Sequence, residues 1–599
     1  MAPIEFRIDA RRAHLRELSV SLEFDTAPGT SGGAPREQIV FLPTWTPGSY
    51  LIREFARHLS RVEALDAASG RSLACRKVTK NRFAISLASD TRRVRLDYRV
   101  YAHELTVRTA DATADHAFWN HACVLLWPVD DQDRGARIGV HAPPGWRLAC
   151  SLPHDPLPDA SSSTDGLLAT LVARDIDEAM DAPCLIGRFE RIEWSVGGVP
   201  HAIALDDLAG VSPPPGLVAD LTAIVERAKE LFGGSLPYES YLFLCLFAAD
   251  GHGGLEHATS TTLLASRTAW RTPKGYRDFL GLAAHELFHA WNVKRMRPRE
   301  FWRYDYENEN YTDLLWLIEG WTAYYDDLLC QRAGLMTRGD YLAIVAKNVN
   351  AMLSNPGRLQ ASLAESSFDA WIRLYRPDEN TRNSSQNYYG NGSVAALCLD
   401  LSVRAASEGR VALDHVLREL YATTFGRGRG YTLEDVQAAL ARLADDAAVA
   451  TLTSLVSRDL DPDLAAMFAP FGIRVVVKDS DRPWLGISFD TGGTRIASVT
   501  RGSPAHAAGL SPGDEVLAVQ SLRVDAGRWQ EVVDATVVVG QPVEVLLARR
   551  GVVAKCVVTP ARGPGTVSLE IEQNQDAGKR ALLDGWLTAD RETASPAKN

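Results

Sequence analysis

Residues 272–298 read TPKGYRDFLGLAAHELFHAWNVKRMRP, and this stretch decides how the surrounding chain is interpreted. Thr272 followed by Pro273 is typical of a helix start, because a threonine hydroxyl can cap the first turn and the missing proline N–H costs nothing there. Pro298 predicts the end of the same helix. Apolar side chains recur around most of the circumference, which predicts a helix that is buried on several sides.

This predicted helix carries a metal-binding pattern, His285, Glu286 and His289. Residues four apart lie one turn above each other, so both imidazoles can reach one metal ion. Glu286 is rotated from that face by about 100°, where it can contact a water on the metal. The pattern is the H-E-x-x-H of zinc peptidases. The alternative, two hydrogen-bonded core histidines, is disfavoured by the position of the motif in the middle of an apolar helix.

A catalytic zinc usually has three protein ligands, so a third is expected downstream. Residues 310–335 predict a second helix, with Thr312 or Asp313 as its cap and Gly334 after its end. Glu319 lies at its centre among apolar residues, where an unpaired carboxylate is costly and a metal ion would neutralise it. The alternative is a solvated glutamate on a helix face.

Composition sets the class of protein. The 599 residues exceed what one core supports and predict three or four domains. The net charge of -11 argues against nucleic-acid partners, and no apolar run is long enough to span a membrane. The first residues contain no apolar core of a secretory signal, and the eight scattered cysteines are typical of free thiols in a reducing compartment. We therefore expect a cytoplasmic protein.

Residues 1–190 alternate in short apolar and polar runs, which predicts an antiparallel β-sandwich. Two segments depart from this pattern. Residues 42–62 contain LPTWTPGSY, and residues 107–120, VRTADATADHAFWN, resemble a loop that reaches another domain more than a hairpin. A structural role and a functional role are equally open for both segments.

A catalytic domain is expected over residues 191–335. The apolar strand YLFLCLF, residues 241–247, leads through glycines to Gly253, Gly254 and Glu256. A carboxylate at a strand edge can bind the free amine of a peptide whose backbone pairs with that strand. The alternative is a turn with a solvated glutamate.

Residues 336–465 are predicted to be mostly helical. Tyr388 and Tyr389 precede a helix in NYYGNGSVAALCLDL, where a phenol can donate to an oxyanion, although packing tyrosines explain the pattern equally well. A small β-rich module is expected over residues 480–562. The polar residues 563–599 are predicted to be a mobile tail.

Taken together, these motifs resemble the M61 glycyl aminopeptidase family of gluzincin metallopeptidases. The motifs HELFHAWNVKRMRP and LIEGWTAYY carry the resemblance, and GGLEH, LPTWTPGSYLIREF and YYGNGSVAALCLDL are similar to further family motifs. The resemblance implies a multidomain α+β protein. Its expected parts are an N-terminal β-domain, a thermolysin-like zincin domain, a helical domain that completes the active site, and a C-terminal PDZ-like domain.

The resemblance also implies roles for individual residues. It implies one zinc ion held by His285, His289 and Glu319, with Glu286 as general base, Glu256 as the group that holds the substrate amine, and Gly253 and Gly254 beside it. The family's oxyanion tyrosine corresponds to Tyr389, with Tyr388 less favoured. Asn391 stands where relatives have a lysine.

The implied function is a zinc-dependent aminopeptidase that releases N-terminal glycine or alanine from peptides with a free N-terminus. A zinc endopeptidase and a PDZ scaffold with a degenerate catalytic domain are the alternatives. In the PDZ-like module, Trp484, Leu485 and Gly486 are expected to form the loop that presents N–H groups to a peptide carboxylate. Trp484 can either pack over that loop or close it, so peptide binding and a purely structural role are both open.

Overall fold

A computed structural model describes residues 2–26, 36–156 and 166–588 of the chain. The chain divides into two compact units. One comprises residues 1–310 with 424–430, and the other comprises residues 311–423 with 431–599.

The N-terminal part of the first unit is built from strands. Their bounds are β1 (Ile4–Asp9), β2 (Glu17–Asp25), β3 (Arg36–Phe41), β4 (Leu59–Asp66), β5 (Ser72–Leu73), β6 (Cys75–Lys77), β7 (Arg82–Leu87), β8 (Arg93–Tyr101), β9 (Ala110–Ala112), β10 (His116–Trp119), β11 (Trp127–Pro128), β12 (Ala136–His141), β13 (Arg147–Cys150), β14 (His154–Pro156), β15 (Leu167–Ala173) and β16 (Cys184–Gly187). A short helix, α1 (Ile176–Met180), precedes β16.

These strands form three sheets instead of the two expected of a simple sandwich. The largest has the order β14-β15-β12-β1-β2-β8-β4-β5, and two four-stranded sheets have the orders β13-β16-β10-β9 and β11-β3-β7-β6. Alternate residues of β2 and β8 are buried, as expected of strands with one face on a core. The pairing is antiparallel except between β1 and β12, which are parallel. The β-rich N-terminal domain is thus confirmed with a more complex topology.

Within residues 107–120, residues 110–119 form a hairpin, so the expectation of a loop is wrong for that part of the segment. Strands β9 and β10 pair antiparallel, with Phe118 opposite Asp111. The threonine side chain at the turn explains the polar sequence, because Thr113 Oγ1 accepts hydrogen bonds from the N–H groups of Asp115 and His116.

The rest of the first unit is a mixed sheet with two helices. It contains β17 (Glu190–Val196), β18 (Val199–Asp206), α2 (Leu217–Leu231), β19 (Tyr241–Ala248), β20 (His252–Glu256), β21 (Ser260–Ser266) and α3 (Pro273–Phe288). The sheet order is β17-β18-β19-β21-β20, which leaves β20 at an edge. The predicted apolar strand is β19, whose side chains are buried along almost its whole length.

Helix α3 begins as predicted and ends earlier than predicted. Thr272 Oγ1 accepts a hydrogen bond from the N–H of Gly275, and Pro273 occupies the first helical position. The helix ends at Phe288, not near Pro298. The chain turns there, because Val293 has a positive φ of 101° and the N–H of Lys294 bonds back to the carbonyl of His289.

The second unit begins with helices. A π-helix, Trp316–Trp321, continues into α4 (Thr322–Arg332), followed by α5 (Arg338–Leu353), α6 (Leu363–Phe368), α7 (Thr381–Ser384), α8 (Gly390–Ala406), α9 (Leu413–Thr423), α10 (Leu433–Leu443), α11 (Asp446–Ser457) and α12 (Leu464–Phe468). Gly334, with a φ of 74°, follows the end of α4 as the sequence predicts. The predicted helical region is confirmed.

A β-rich module is inserted into a hairpin of the second unit. The hairpin consists of β22 (Ile473–Lys478) and the strand Thr566–Ile571, with Lys478 opposite Thr566. Between them lie β23 (Pro483–Trp484), β24 (Ile487–Phe489), β25 (Ile496–Val499), α13 (Pro504–Ala507), β26 (Glu515–Val519), β27 (Leu522–Arg523), α14 (Trp529–Thr536), β28 (Val543–Arg549), β29 (Val552–Val558) and β30 (Ala561–Arg562). The module has its own apolar core.

The expectation of a mobile tail over residues 563–599 is wrong for the described part. Residues Thr566–Ile571 form β31, which pairs with β22, and Ala577–Trp586 form α15. Trp586 is buried, and its Nε1–H donates to the Tyr324 hydroxyl at 2.9 Å. Burial of a tryptophan against the helices stabilises this segment. Residues 589–599 lie outside the described residues.

Two global expectations concern membranes and disulfides. No helix in the described part of the chain has the length and apolar character needed to cross a membrane. All eight cysteines carry free thiols, as expected, and six of them are buried.

Candidate active site

His285 in α3 and His289, which immediately follows α3, bring their Nε2 atoms together. His285 Nε2 and His289 Nε2 are 3.2 Å apart. His289 Nδ1 lies 2.8 Å from the carbonyl oxygen of Asn292, and because a carbonyl can only accept, Nδ1 carries the proton. The lone pair of His289 is therefore on Nε2, the nitrogen that faces His285. This is the arrangement expected of histidines that share a metal ion, in which the second nitrogen is held by a neighbouring oxygen.

Glu286 lies directly beneath the edge strand β20. A Cβ placed on Gly254 would be 2.0 Å from Glu286 Oε1, so the strand backbone and the carboxylate are in contact. Glu286 is buried, and ligand atoms of Glu256, Glu286 and His289 all lie within 4.8 Å of one another. Two carboxylates next to an imidazole that can bind a metal ion can hold cations and transfer protons.

Glu256 is a buried carboxylate at the end of the edge strand. Its side chain is 3% exposed, and within the described ranges its Oε1 has no hydrogen-bond partner. Burying a charged oxygen without a partner is unfavourable, so such an oxygen favours binding of a cationic group. The sequence-predicted position of Glu256 at a strand edge agrees with its place in β20.

Residues 42–62 of the N-terminal domain reach this carboxylate. A Cβ on Gly48 would be 2.5 Å from Glu256 Oε2, and Gly48 has a φ of 92° that side chains rarely adopt. The segment is anchored nearby, because Trp45 Nε1–H donates to the carbonyl of Asp305 at 2.8 Å and the Thr44 N–H donates to the carbonyl of Tyr306 at 2.9 Å. The glycine in LPTWTPGSY thus lets the backbone approach Glu256.

Sequence reasoning missed Asp181, a residue of the N-terminal domain that links the two sides of the site. Its Oδ1 accepts from Lys294 Nζ at 2.7 Å and lies 3.2 Å from His257 Nδ1, and its Oδ2 accepts from the Ala258 N–H at 2.8 Å. Lys294 lies in the chain after α3, and His257 follows Glu256. Asp181 therefore ties the end of β20 to the chain after α3.

Electrostatics explains why these charges are buried. Burial alone would raise the pKa of Asp181, but Lys294 and His257 outweigh it and lower that pKa. Burial alone would lower the pKa of Lys294, but the charges of Asp181 and then Glu256 raise it. Both side chains are thus ionised at neutral pH. No local pattern in the sequence indicates this pair, because 113 residues separate its members.

The second unit holds the other predicted site residues. Glu319 lies in the π-helix, a type of turn that is frequently found at functional sites, and it is 3% exposed. A Cβ on Gly320 would be 2.6 Å from Gly392 Cα. Helix α8 therefore crosses the π-helix at the second glycine of the YGNG motif. This contact explains the glycine in that motif by packing.

Tyr388 and Tyr389 differ in their surroundings. Tyr388 is buried and its hydroxyl lies 3.2 Å from the Tyr375 hydroxyl, whereas Tyr389 is half-buried and stacks on Tyr388 with ring centroids 4.9 Å apart. Burial raises the pKa of Tyr389 well above its usual value, and the charge of Glu319 raises it further. The phenol is therefore protonated at neutral pH and can donate a hydrogen bond.

Asn391 is held by a chain of side-chain hydrogen bonds. Its Nδ2 donates to Gln386 Oε1 at 2.9 Å, and Gln386 Nε2 donates in turn to the carbonyl of Ala361 at 2.7 Å. The amide side chain is buried within the helices.

In the β-rich module, the expected binding loop is partly a strand. Trp484 belongs to β23 and pairs with Ala561 of β30, so it is not a loop residue. Leu485 is buried in the module's core. Gly486 has a φ of 82°, and a Cβ there would be 2.1 Å from Ser503 Cβ and 3.0 Å from the Trp484 ring. The indole thus packs beside the glycine.

Models of known protein families match three regions of the chain. The M61 glycyl aminopeptidase family matches residues 278–395, the peptidase M61 N-terminal domain matches residues 5–188, and the PDZ domain matches residues 468–548. A comparison with curated proteins found no match.

Solved structures are similar as well. The crystal structure of an aminopeptidase N family protein from Idiomarina loihiensis is 29% identical with a TM-score of 0.87, and the match covers 98% of this chain and 100% of that chain. An M1 zinc metallopeptidase from Deinococcus radiodurans, in a mutant bound to a Tyr-Ser-Ala substrate, is 18% identical with a TM-score of 0.48, and covers 77% and 94%. From the matches to both M61 domains and to the PDZ domain, the chain belongs to the M61 glycyl aminopeptidase family and is an aminopeptidase.

Proposed function

We propose that one zinc ion per chain is held by His285, His289 and Glu319. The converging Nε2 atoms of the histidines and the protonated Nδ1 of His289 support the first two ligands. The burial of the Glu319 carboxylate supports the third, since a buried carboxylate is stabilised by a cation. Two imidazoles and one carboxylate are a donor set that catalytic zinc commonly uses. When bound, the ion supplies Lewis acidity toward water and the scissile carbonyl.

We propose that Glu256 binds the free amine of the substrate. The single observation that carries this proposal is the buried Oε1 of Glu256, which has no hydrogen-bond partner among the described residues and lies in the edge strand β20, beside Glu286. A peptide that pairs with β20 would place its ammonium group at this carboxylate. The contact of Gly48 with Glu256 supports a first residue that is small, glycine or alanine, because backbone closely approaches the amine site.

Glu286 and Tyr389 are proposed to perform the proton transfer and the charge stabilisation. Glu286 takes a proton from the attacking water and returns it to the leaving amine. This role suits a carboxylate that lies against β20, the strand with which the substrate is proposed to pair. Tyr389 donates a hydrogen bond to the oxyanion, and its raised pKa keeps that proton on the phenol.

For the PDZ domain, we propose binding of a peptide carboxyl terminus along β24. The strand lies beside α14, because the ring of Phe489 in β24 and that of Trp529 in α14 meet edge to face with centroids 4.8 Å apart. Peptides add a strand to such an edge.

The proposed roles are tested by combining metal analysis with activity. We expect purified protein to contain one zinc per chain and to lose activity with a chelator. Glu286→Ala should retain zinc and lose a factor of roughly 10² to 10⁴ in turnover, the usual contribution of a general base. Glu319→Ala should lose the zinc. A Glu286→Ala variant with wild-type turnover, or full zinc in Glu319→Ala, would contradict these assignments.

A further inference from the structure

Arg108 lies beside the substrate-binding edge and has no assigned role. It belongs to the N-terminal domain, just before the hairpin of β9 and β10. Its Nη1 lies 4.0 Å from the position of a Cβ on Gly253, so the guanidinium faces β20. The side chain is half-buried, and within residues 2–26, 36–156 and 166–588 its guanidinium makes no hydrogen bond or ion pair. A partly buried arginine that pairs with no anion of the protein can bind a carboxylate or a carbonyl oxygen of a ligand.

The backbone around Arg108 is fixed by side chains. The Arg108 N–H donates to Thr106 Oγ1 at 3.1 Å, and its carbonyl accepts from Cys123 Sγ at 3.5 Å. Asn120 Nδ2 donates to the carbonyl of Val107 at 3.0 Å. The guanidinium is therefore presented from an ordered turn, which reduces the entropy lost on binding.

The order of groups along β20 gives the direction of the substrate. Glu256 lies at one end, Gly254 contacts Glu286, and Gly253 lies beside Arg108. If the amine is at Glu256 and the scissile carbonyl is near Glu286, the residue after the scissile bond lies toward Arg108. This step rests on the proposed function.

The distances fit a short peptide. Three residues of strand, from Glu256 to Gly253, span about 10 Å. An extended dipeptide spans about 7 Å, and hydrogen bonds of about 3 Å at each end extend its reach to about 13 Å. That reach suffices to join the Glu256 carboxylate to a guanidinium beside Gly253. A side chain at Gly253 would stand between the strand and the arginine.

We propose that Arg108 binds a carboxylate on the leaving side of the substrate and so determines specificity at the residue after the scissile bond. A guanidinium binds a carboxylate with two parallel N–H···O hydrogen bonds. Two sources supply this group, the C-terminal carboxylate of a dipeptide and an acidic side chain in the second residue. Arg108 acts in binding and takes part in no proton transfer.

The test compares matched substrates that differ only in this charge. The ratio of kcat/KM for Ala-Ala over Ala-Ala amide is measured for the wild type, Arg108→Gln and Arg108→Lys. A hydrogen bond to a charged group corresponds to a factor of roughly 10 to 100. We expect that preference for Ala-Ala in the wild type, a ratio near one in Arg108→Gln, and a partial preference in Arg108→Lys. Arg137→Gln, an exposed arginine on β12, is the matched control and should retain the wild-type ratio.

A second pair distinguishes the two sources of the carboxylate. Preference for Ala-Asp amide over Ala-Asn amide, lost in Arg108→Gln, would show that a side chain also serves. Equal rates on that pair would restrict the site to the C-terminal carboxylate of dipeptides, which still supports the proposal. An Arg108→Gln variant that keeps the wild-type ratio on both pairs would overturn it, since a merely structural role lowers both members of a pair alike. Failure of the zinc-loaded wild type to hydrolyse alanine p-nitroanilide would instead refute the proposed function, and the subsite with it.

Discussion

The backbone of Gly254 touches the carboxylate of Glu286, with the position of a Cβ on Gly254 only 2.0 Å from Oε1. The edge strand and the proposed base are therefore in direct contact, with no side chain between them. A substrate paired with β20 would lie within reach of Glu286 because of this contact.

Gly254→Ala should displace Glu286 and reduce turnover. A methyl group cannot fit at 2.0 Å, so the carboxylate must move from its position. A misplaced base loses roughly a factor of 10² in kcat. Steady-state kinetics and zinc analysis of the Gly254→Ala variant check this prediction. We expect the variant to bind zinc normally. Gly339→Ala, where the nearest atom is Thr337 Oγ1 at 3.8 Å, is the control. Full turnover in Gly254→Ala would show that Glu286 is not held by this contact.

Tyr389→Phe should reduce kcat much more than it changes substrate binding. Its hydrogen bond strengthens as charge develops on the carbonyl oxygen, and loss of one such donor costs roughly 10² to 10³ in kcat. Tyr388→Phe should instead affect mainly stability, because the Tyr388 side chain is fully buried whereas that of Tyr389 is half-buried. Kinetics and thermal unfolding of both variants separate the roles. Similar kinetics for the two variants would remove the preference for Tyr389.

Stability should fall at alkaline pH because of His116. Burial alone would lower its pKa, but hydrogen bonds to Asp111 at 3.0 Å and to Asp206 outweigh burial and raise that pKa to about 9. Because this value exceeds the pKa of about 6.5 in the unfolded chain, the stabilisation is complete below pH 6.5 and is lost as pH rises through about 9. The shift corresponds to at most about 3 kcal/mol.

Thermal unfolding between pH 6 and 10 measures this loss. The hydrogen bond between His116 and Asp206 joins β10 of the N-terminal domain to the end of β18. The unfolding midpoint of the first unit should therefore fall as the pH rises. His116→Gln should remove most of the slope between pH 7 and 9. A wild-type midpoint that is constant over that interval would show that His116 is neutral in the folded protein.

The PDZ domain should be separable from catalysis on short substrates. It occupies the loop of the β22 and β31 hairpin, so residues 479–565 can be replaced by Asn-Gly, which closes a tight hairpin. This deletion keeps Trp586 in its buried position, which a truncation after β22 would remove. We expect normal hydrolysis of alanine p-nitroanilide and a lower rate on long peptides.

A structural role for the domain predicts a different result. Asn383 Nδ2 donates to the carbonyl of Val499 at 2.8 Å, and Asn383 Oδ1 accepts from the Arg501 N–H at 2.8 Å. Asn383 precedes Tyr389 by six residues. Loss of activity on the short substrate, with an unchanged circular dichroism spectrum of the helices, would favour such support over recruitment of long peptides.

The sequence predicts best the features that depend on local pattern. The start of α3, the i and i+4 histidines and the edge position of Glu256 follow from capping and periodicity. The end of α3 does not, because it depends on the unusual φ of Val293. Asp181 was also beyond prediction, since its contacts with Lys294 and Ala258 join distant parts of the chain.

The order of helix α15 has a signal in the sequence itself. Residues 577–586, AGKRALLDGW, place Leu583 and Trp586 on one helical face, and both are buried. The polar composition of the surrounding residues masked this apolar face. Helical spacing of a few large apolar residues was the better indicator of order.

The most direct test of the central claim is the hydrolysis of alanine p-nitroanilide and of its N-acetylated twin by the zinc-loaded protein. If the buried Oε1 of Glu256 binds the substrate amine, acetylation removes the charge that it binds. We predict that the free amine is hydrolysed, that the acetylated twin is hydrolysed at least about 10² times more slowly, and that Glu256→Gln loses most of this difference. Hydrolysis of both substrates at similar rates by the wild type, as expected of an endopeptidase, would contradict the account.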